Sequence, residues 1–170
     1  MSTPATDLID SLALNEDSSL REIRKVRSKV TLATQGSHDA LFAADLAGDL
    51  SVETRLLVAL HGSCLSRQRQ LAAYYRERLQ VLKVSDVTLN AVEQNQLAAI
   101  EDLQLRSVLS YSSTLIVAPK EGDRAALEAL RKGGLSPLDI VTLAQLIAFV
   151  SYQVRLTAGL AALQALGAVQ

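Results

Sequence analysis

The sequence predicts an all-α protein folded as a single domain over residues 1–170, with about seven or eight helices. The chain is rich in Leu and Ala and has only three prolines and eight glycines, which favours helices. Apolar residues recur at helical spacing along most of its length. No segment shows the alternation of a half-buried strand, and 170 residues suffice for a hydrophobic core.

The first elements are short. Residues 7–14, DLIDSLAL, predict a short helix within an N-terminal extension of about residues 1–18. Ser19 and Glu22 are spaced as in a capping box and predict the start of a second helix. That helix is basic over residues 21–29 and apolar on its other side, at Leu20, Ile23, Val26 and Val30.

A glycine then divides the next segment. Gly36 predicts a break, and Ser37 is the expected N-cap of a helix that stops near Gly48.

Residues 51–81 predict a helix pair. Ser51 is the expected N-cap of a helix from Val52 to about Leu65, and a second helix follows from about Arg67 to Val81.

The third quarter of the chain predicts one long and one short helix. Apolar residues at helical spacing extend from Thr88 to about Val117, and APKEGDR (118–124) predicts a loop. Asp123 is the expected cap of a short helix that ends at Gly133 and Gly134.

The last helix, at about residues 137–166, is apolar almost all round. Ser136 is its expected N-cap, Pro137 suits the first helical position, and Asp139 places an acid in the first turn. A helix of this kind belongs either at the centre of a bundle or in a subunit interface.

Charge and cysteine content exclude several classes of protein. The formal net charge is −1, so no overall field attracts nucleic acid or an anionic membrane. The one cysteine, Cys64, cannot form an internal disulfide. The N-terminus is acidic where a signal peptide is basic, and the longest uncharged run, between Asp139 and Arg155, is too short to span a membrane. We therefore expect a cytoplasmic protein with no membrane partner.

No metal or cofactor is predicted. His38 and His61 are the only imidazoles, there is no H-x-x-x-H or C-x-x-C spacing, and there is no glycine-rich phosphate loop. The basic run 21–29 lacks interleaved aromatic residues, so it predicts a solvated helix face rather than a nucleic-acid site.

Cys64 and His61 are the candidates for thiol chemistry. They are three residues apart and would be neighbours on one helix, where an imidazolium can lower a thiol pKa. The alternative is a small apolar residue packed beside a half-buried histidine, which the apolar surroundings favour.

Arg155 interrupts the most apolar helix. If buried, its guanidinium needs a carboxylate or several carbonyls, with Glu53 or Asp39 as candidate partners. A structural ion pair is favoured over an anion-binding or interface role. Tyr74, Tyr75 and Tyr152 are expected to be core or interface aromatics whose hydroxyls have partners.

Three stretches resemble a known superfamily. They are TQGSHDALFA (34–43), ETRLLVALHGSCLSRQRQLAAYYRERL (53–79) and LEALRKGGLSPLDIVTLAQLIAFVSYQVRLTAGLAAL (127–163). Together they are similar to peroxidase-related proteins of the alkylhydroperoxidase D-like, carboxymuconolactone decarboxylase superfamily, over about residues 30–166. The resemblance implies an all-α bundle that assembles with copies of itself, from dimer to hexamer, and allows a partnership with an active relative.

The resemblance also implies where catalysis would reside. Active members carry C-x-x-C-x-x-x-H at the start of a helix, where one cysteine is a thiolate and the other resolves the sulfenic acid. An ungapped match puts Gln68 and Leu71 at the two cysteine positions and Tyr75 at the histidine position. A slipped match that places His61 and Cys64 on the cysteine positions still supplies only one thiol, so we prefer the ungapped register.

We therefore expect a member without disulfide-cycling peroxidase activity, with a binding or oligomeric role linked to antioxidant metabolism. A ligand pocket would lie near Arg67, Gln68, Leu71, Tyr75 and Arg155. Two alternatives remain. One is an acid–base enzyme of the carboxymuconolactone decarboxylase type that uses His61, Tyr75, Glu53 and Arg155. The other is a one-cysteine peroxidase that uses Cys64 with an external reductant.

Overall fold

A computed structural model describes residues 7–167 and confirms the all-α fold class. These residues form nine α-helices, eight of them seven residues or longer, and no strand. Two 3-10 turns, Leu97–Ala99 and Pro119–Glu121, lie between helices. The helices are α1 (Leu8–Ala13), α2 (Ser19–Val26), α3 (Ser28–Leu41), α4 (Val52–Leu65), α5 (Arg69–Val81), α6 (Asp86–Glu93), α7 (Leu103–Val117), α8 (Arg124–Lys132) and α9 (Pro137–Gly167).

Helix α4 is the centre of the bundle. Residues 55–63 are all buried, and the helix packs against α5, α6, α7 and α9. At Gly62 an added Cβ would lie 3.1 Å from side-chain atoms of Ile116 and of Val150, so α7 and α9 press closely on this point. Helix α1 packs on the far part of α9 through a second, smaller core that includes Ile9 and Leu160.

Most predicted helix boundaries are confirmed. Helices α1, α4, α5, α8 and α9 begin and end within about two residues of the expected positions. Ser51 Oγ accepts a hydrogen bond from Thr54 N at 3.0 Å, and Asp123 Oδ1 accepts one from Ala126 N at 3.1 Å. Both are the N-caps that the sequence predicted.

The predicted break at Gly36 is wrong. Helix α3 runs through Gly36, and the chain bends instead at Arg27, where φ is −107° and ψ is 43°. A single glycine inside a helix costs only about 1 kcal/mol, which neighbouring turns can offset. Ser37 does not cap a helix, because its Oγ donates to Ala33 O at 2.8 Å within α3.

The long helix predicted over 88–117 is also wrong, because it is two helices. Helix α6 ends where Asn95 takes φ 55°, and Gln96 N donates to Ala91 O at 2.8 Å to close the helix end. Helix α7 begins at Leu103, and its N-cap is Asp102, whose Oδ1 accepts from Gln104 N at 2.9 Å. Apolar spacing continues across the interruption, so periodicity alone conceals it.

A buried arginine holds the connection between α3 and α4. Arg55 is 1% exposed and has no carboxylate partner among the described residues. Its Nε donates to Leu50 O at 2.9 Å, its Nη1 to Leu41 O at 2.5 Å and its Nη2 to Ala43 O at 2.9 Å. Leu41 is the last residue of α3, so the cation also sits at the negative end of that helix. Burial lowers the pKa of Arg55 from its usual value.

Asp139 holds the same connection from the N-terminus of α9. Its Oδ1 accepts from Asp49 N at 2.7 Å and from Leu50 N at 3.2 Å, while its Oδ2 accepts from Ser136 Oγ at 2.6 Å. Burial raises the pKa of this carboxyl, but the hydrogen bonds outweigh burial and leave the pKa below its usual value. Gly48, at φ 107°, approaches so closely that a Cβ would lie 2.6 Å from Asp139 Oδ1.

Helix α9 has one buried and one exposed apolar face. The buried face packs against α1, α3, α4, α7 and α8. The outward residues at helical spacing form what we call the α9 stripe, which consists of Leu138, Val141, Gln145, Ala148, Tyr152, Arg155, Gly159, Leu163 and Leu166. Within residues 7–167, α9 alone is long and apolar enough to cross a membrane, a test that the core helix of a soluble protein also passes.

Replacing Arg55 by Met should lower the free energy of unfolding by about 3 kcal/mol, because three backbone carbonyls lose buried donors. Urea unfolding followed by far-UV circular dichroism measures the change. Arg131→Met is the matched control at an exposed position on α8 and should change stability by less than about 0.5 kcal/mol. Equal losses in the two variants would contradict this role for Arg55.

Candidate functional site

The turn between α4 and α5 is tightly closed. Arg67 follows the end of α4 with φ 55°, a left-handed conformation that favours glycine. Its N donates to Cys64 O at 2.9 Å, and Gln68 N donates to Ser63 O at 2.9 Å, the pair of bonds that ends a helix in a Schellman motif.

Gln68 then starts α5. Its Oε1 accepts hydrogen bonds from Gln70 N at 2.9 Å and from Leu71 N at 3.4 Å, so the side chain is the N-cap of the helix. In the ungapped register the first cysteine position therefore lies at the N-terminus of α5, and this chain has the amide side chain of Gln68 there.

A cavity of about 290 Å³ opens beside this turn, lined by Ser63, Cys64, Arg67, Gln68, Arg69 and Ala72. The sequence predicted Arg67 and Gln68 at a pocket and missed Arg69. The signal for Arg69 was available, since a second arginine at the first position of α5 has to lie beside the N-cap.

Cys64 lines the cavity as a neutral thiol. It is half-buried, and burial, with a smaller contribution from the charge of Glu93, raises the pKa of its thiol to about 11, while Arg76 acts in the opposite direction. Cys64 also lies in the last turn of α4, where the helix dipole disfavours a thiolate. Burial outweighs the charge of Arg76, so the thiol is not activated.

His61 is fully buried and its ring is engaged elsewhere. Nδ1 lies 3.0 Å from Val92 O and Nε2 lies 2.7 Å from Ser113 Oγ, which fits a tautomer protonated at Nδ1. Burial lowers the pKa of the ring. The imidazole makes no hydrogen bond with Cys64, so the predicted thiol–imidazole pair is not formed.

Leu71 and Tyr75 lie behind the cavity wall. Both are 0% exposed. The Tyr75 hydroxyl donates to Gln153 Oε1 at 2.5 Å, and burial raises the pKa of the phenol. Neither side chain is available to a ligand in the cavity.

The remaining predicted residues lie elsewhere. The structural ion pair predicted for Arg155 is not formed within residues 7–167, because Arg155 is exposed and its Nη1 donates to Ser151 O at 2.9 Å. An apolar helix surface does not reveal which face turns outward. Glu53 is exposed in the first turn of α4, about 16 Å along the helix from Cys64. The structure does not bring His61, Tyr75, Glu53 and Arg155 into one cavity.

The hydroxyls of Tyr74, Tyr75 and Tyr152 have partners, as the sequence predicted. Tyr74 OH lies 3.3 Å from His38 Nε2, and Tyr152 OH lies 3.0 Å from Thr34 Oγ1. No group of three or more His, Cys, Asp or Glu side chains within residues 7–167 is arranged to hold a metal ion.

Native Cys64 should react with iodoacetamide about 100-fold more slowly at pH 8 than the same cysteine in the urea-unfolded chain. A pKa of about 11, against 9.0 for an unperturbed thiol, leaves about one hundredth of the thiolate. The native rate should keep rising up to about pH 11. Mass spectrometry of timed samples gives both rates, and a native rate at pH 8 that equals or exceeds the unfolded rate would contradict the raised pKa.

Comparison with known proteins identifies the fold. No protein-family model matches the chain, and no curated protein matches it significantly. A crystal structure of an alkylhydroperoxidase AhpD core, an uncharacterized peroxidase-related protein from Ralstonia eutropha JMP134, matches with TM-score 0.71 and 23% identity, over 78% of this chain and 69% of that one. An uncharacterized peroxidase-related protein from Silicibacter sp. TM1040 matches with TM-score 0.72 and 19% identity, over 79% and 69%. The chain has the AhpD-like fold.

Proposed function

We propose that this protein is a cytoplasmic, self-associating member of the alkylhydroperoxidase D-like, carboxymuconolactone decarboxylase superfamily that does not cycle a disulfide. Its role is binding or association in antioxidant metabolism, alone or with an active relative. The shared fold and the resemblance of residues 53–79 and 127–163 support the family. The absence of a thiol from Gln68 and Leu71 at the start of α5 supports the proposed absence of disulfide-cycling peroxidase activity.

The observation that carries the proposal is that the N-terminus of α5, where the resemblance implies two cysteines, has no thiol. Gln68 caps the helix, and Leu71 is sealed in the core three residues later. An amide and an alkyl group cannot form a sulfenic acid or a disulfide. The slipped register offers no substitute for the missing thiolate. In that register the cysteine is Cys64, which lies at the C-terminal end of α4, where the negative end of the helix dipole disfavours a thiolate.

The two alternative activities lack support from the geometry. Acid–base catalysis requires that His61, Tyr75, Glu53 and Arg155 reach one substrate, but these side chains face the core or separate surfaces. One-cysteine peroxidase chemistry requires a thiolate, which the raised pKa of Cys64 opposes.

The purified protein should therefore consume neither hydrogen peroxide nor an organic hydroperoxide faster than a buffer control when dithiothreitol is the reductant. Remaining peroxide is measured over time. Cys64→Ser is the control and should behave as the wild type does. Turnover by the wild type that Cys64→Ser lacks would establish a one-cysteine peroxidase and overturn the proposal.

Self-association is supported by the composition of the α9 stripe. It is largely apolar and exposed along about 42 Å of helix, and a continuous exposed apolar surface often marks an association site. We propose that a second copy of the chain covers it.

The order of residues along the stripe fits a two-fold contact between antiparallel α9 helices. Val141 and Leu163 lie eleven residues on either side of Tyr152, and Leu138 and Leu166 lie fourteen residues on either side. A two-fold axis at Tyr152 would place each large apolar residue against another in the partner copy. Near the axis, the small Ala148 lets the helices approach closely.

Sedimentation velocity should show a dimer or larger assembly for the wild type and a monomer for Val141→Glu, because the variant buries an unpaired charge in the interface. Val87→Glu is the matched control, since Val87 is an exposed valine on α6, and it should leave the assembly intact. A wild-type monomer, or an assembly that Val141→Glu does not affect, would contradict an interface on the α9 stripe.

A further inference from the structure

We infer that the cavity beside the α4–α5 turn binds a small oxyanion, a carboxylate or a phosphate, through Gln68, Arg67 and Arg69. The inference names a ligand class for the binding role proposed above and rests on that role. It is carried by an unpaired amide donor, two unpaired cations, the positive end of a helix and the absence of a free negative charge at the cavity.

Gln68 supplies the first observation. The side chain is 9% exposed and lines the cavity, and its Oε1 is fixed by the first turn of α5. Its Nε2 has no acceptor among residues 7–167, although it carries two N–H donors. This amide is fixed at its oxygen, and its nitrogen leaves two N–H donors available at the cavity to water or to an acceptor from outside the chain.

Two arginines supply the positive charge. Arg67 and Arg69 flank Gln68 and line the same cavity, and neither guanidinium contacts a carboxylate in the described part of the chain. Guanidinium groups bind carboxylate and phosphate oxygens in a bidentate manner. Helix α5, thirteen residues long, also directs its positive end toward this site.

No free negative charge opposes an anion. Cys64, in the cavity wall, is a neutral thiol. The carboxylate whose field reaches Cys64 is that of Glu93, and it is paired with Arg76, with Glu93 Oε2 lying 2.6 Å from Arg76 Nη1. The local balance of charge around the cavity is therefore positive, although the chain as a whole is near neutral.

The size of the cavity limits the ligand. About 290 Å³ is at the lower end of the range for small-molecule sites, so the cavity suits inorganic phosphate or a short-chain carboxylate better than a nucleotide. Cys64 and Ala72 provide an apolar wall that can contact a few carbon atoms.

A ¹⁵N NMR titration tests the site directly, because the Gln68 side-chain amide reports on its own acceptor. Sodium phosphate and sodium butyrate are titrated separately to about 50 mM at pH 7, with sodium chloride holding the ionic strength constant. We expect the Gln68 Nε2–H₂ signals to shift in a saturable manner. A response to phosphate alone, to butyrate alone or to both supports the inference and identifies the source of the oxyanion. No saturable shift with either anion overturns it.

Variants make the test specific. Arg67→Gln and Arg69→Gln should each weaken binding about tenfold, since each removes one charge-assisted contact. Both positions are exposed, so the fold should survive. Arg27→Gln, at an exposed arginine distant in sequence, is the control and should bind as the wild type does. Wild-type affinity in both cavity variants would also overturn the inference.

The outcome can be separated from that of the proposed function. A failed titration removes the ligand class but leaves the peroxide assay and the sedimentation result unchanged. Peroxide turnover that depends on Cys64 would overturn the proposed lack of peroxidase activity, whatever the titration shows.

Discussion

The connection between α3 and α4 is the constraint on which the arrangement of this bundle depends. Residues 42–51 have few backbone partners of their own, and two buried charges supply them. Arg55 donates to carbonyls at the end of α3 and along the connection, while Asp139 accepts from backbone N–H groups at residues 49 and 50. The two charges therefore fix α3, α4 and the start of α9 relative to one another. The two charges do not pair with each other, because backbone carbonyls compensate Arg55, and backbone N–H groups together with the Ser136 hydroxyl compensate Asp139.

The chemistry of the α4–α5 turn follows from what packs beneath it. Tyr75 is sealed by its hydrogen bond to Gln153 of α9, and His61 is held by α7 and the end of α6. Both side chains are buried and hydrogen-bonded within the core, so neither reaches the cavity. What remains at the surface is an amide, two guanidinium groups and a neutral thiol, a set suited to holding an anion and unsuited to electron transfer.

Helix α9 shows how one apolar helix can have two uses. Its inner face completes the core against five other helices, and its outer face remains exposed. The outer face carries only one charge, that of Arg155, which points along the helix to a backbone carbonyl. The core does not require a second apolar face of this length, and the self-association proposed above would account for it.

Much of the fold was determined by the sequence itself. Local signals placed the ends of α4, α8 and α9 correctly, because N-caps such as Ser51 and Asp123 and the stop at Gly133 act over three or four residues. The same signals failed at Gly36, where the helix continues, and across 88–117, where it is interrupted. In both places the path of the backbone depended on packing against neighbouring helices. Which arginine is buried was decided only by tertiary structure. Arg55 and Arg155 both lie in apolar helices, but only the side chain of Arg55 meets the carbonyls that end another helix. Tertiary structure also decided the cavity, because its lining comes from the end of α4, the turn and the start of α5. The spacing of residues along one helix does not predict how two helices pack.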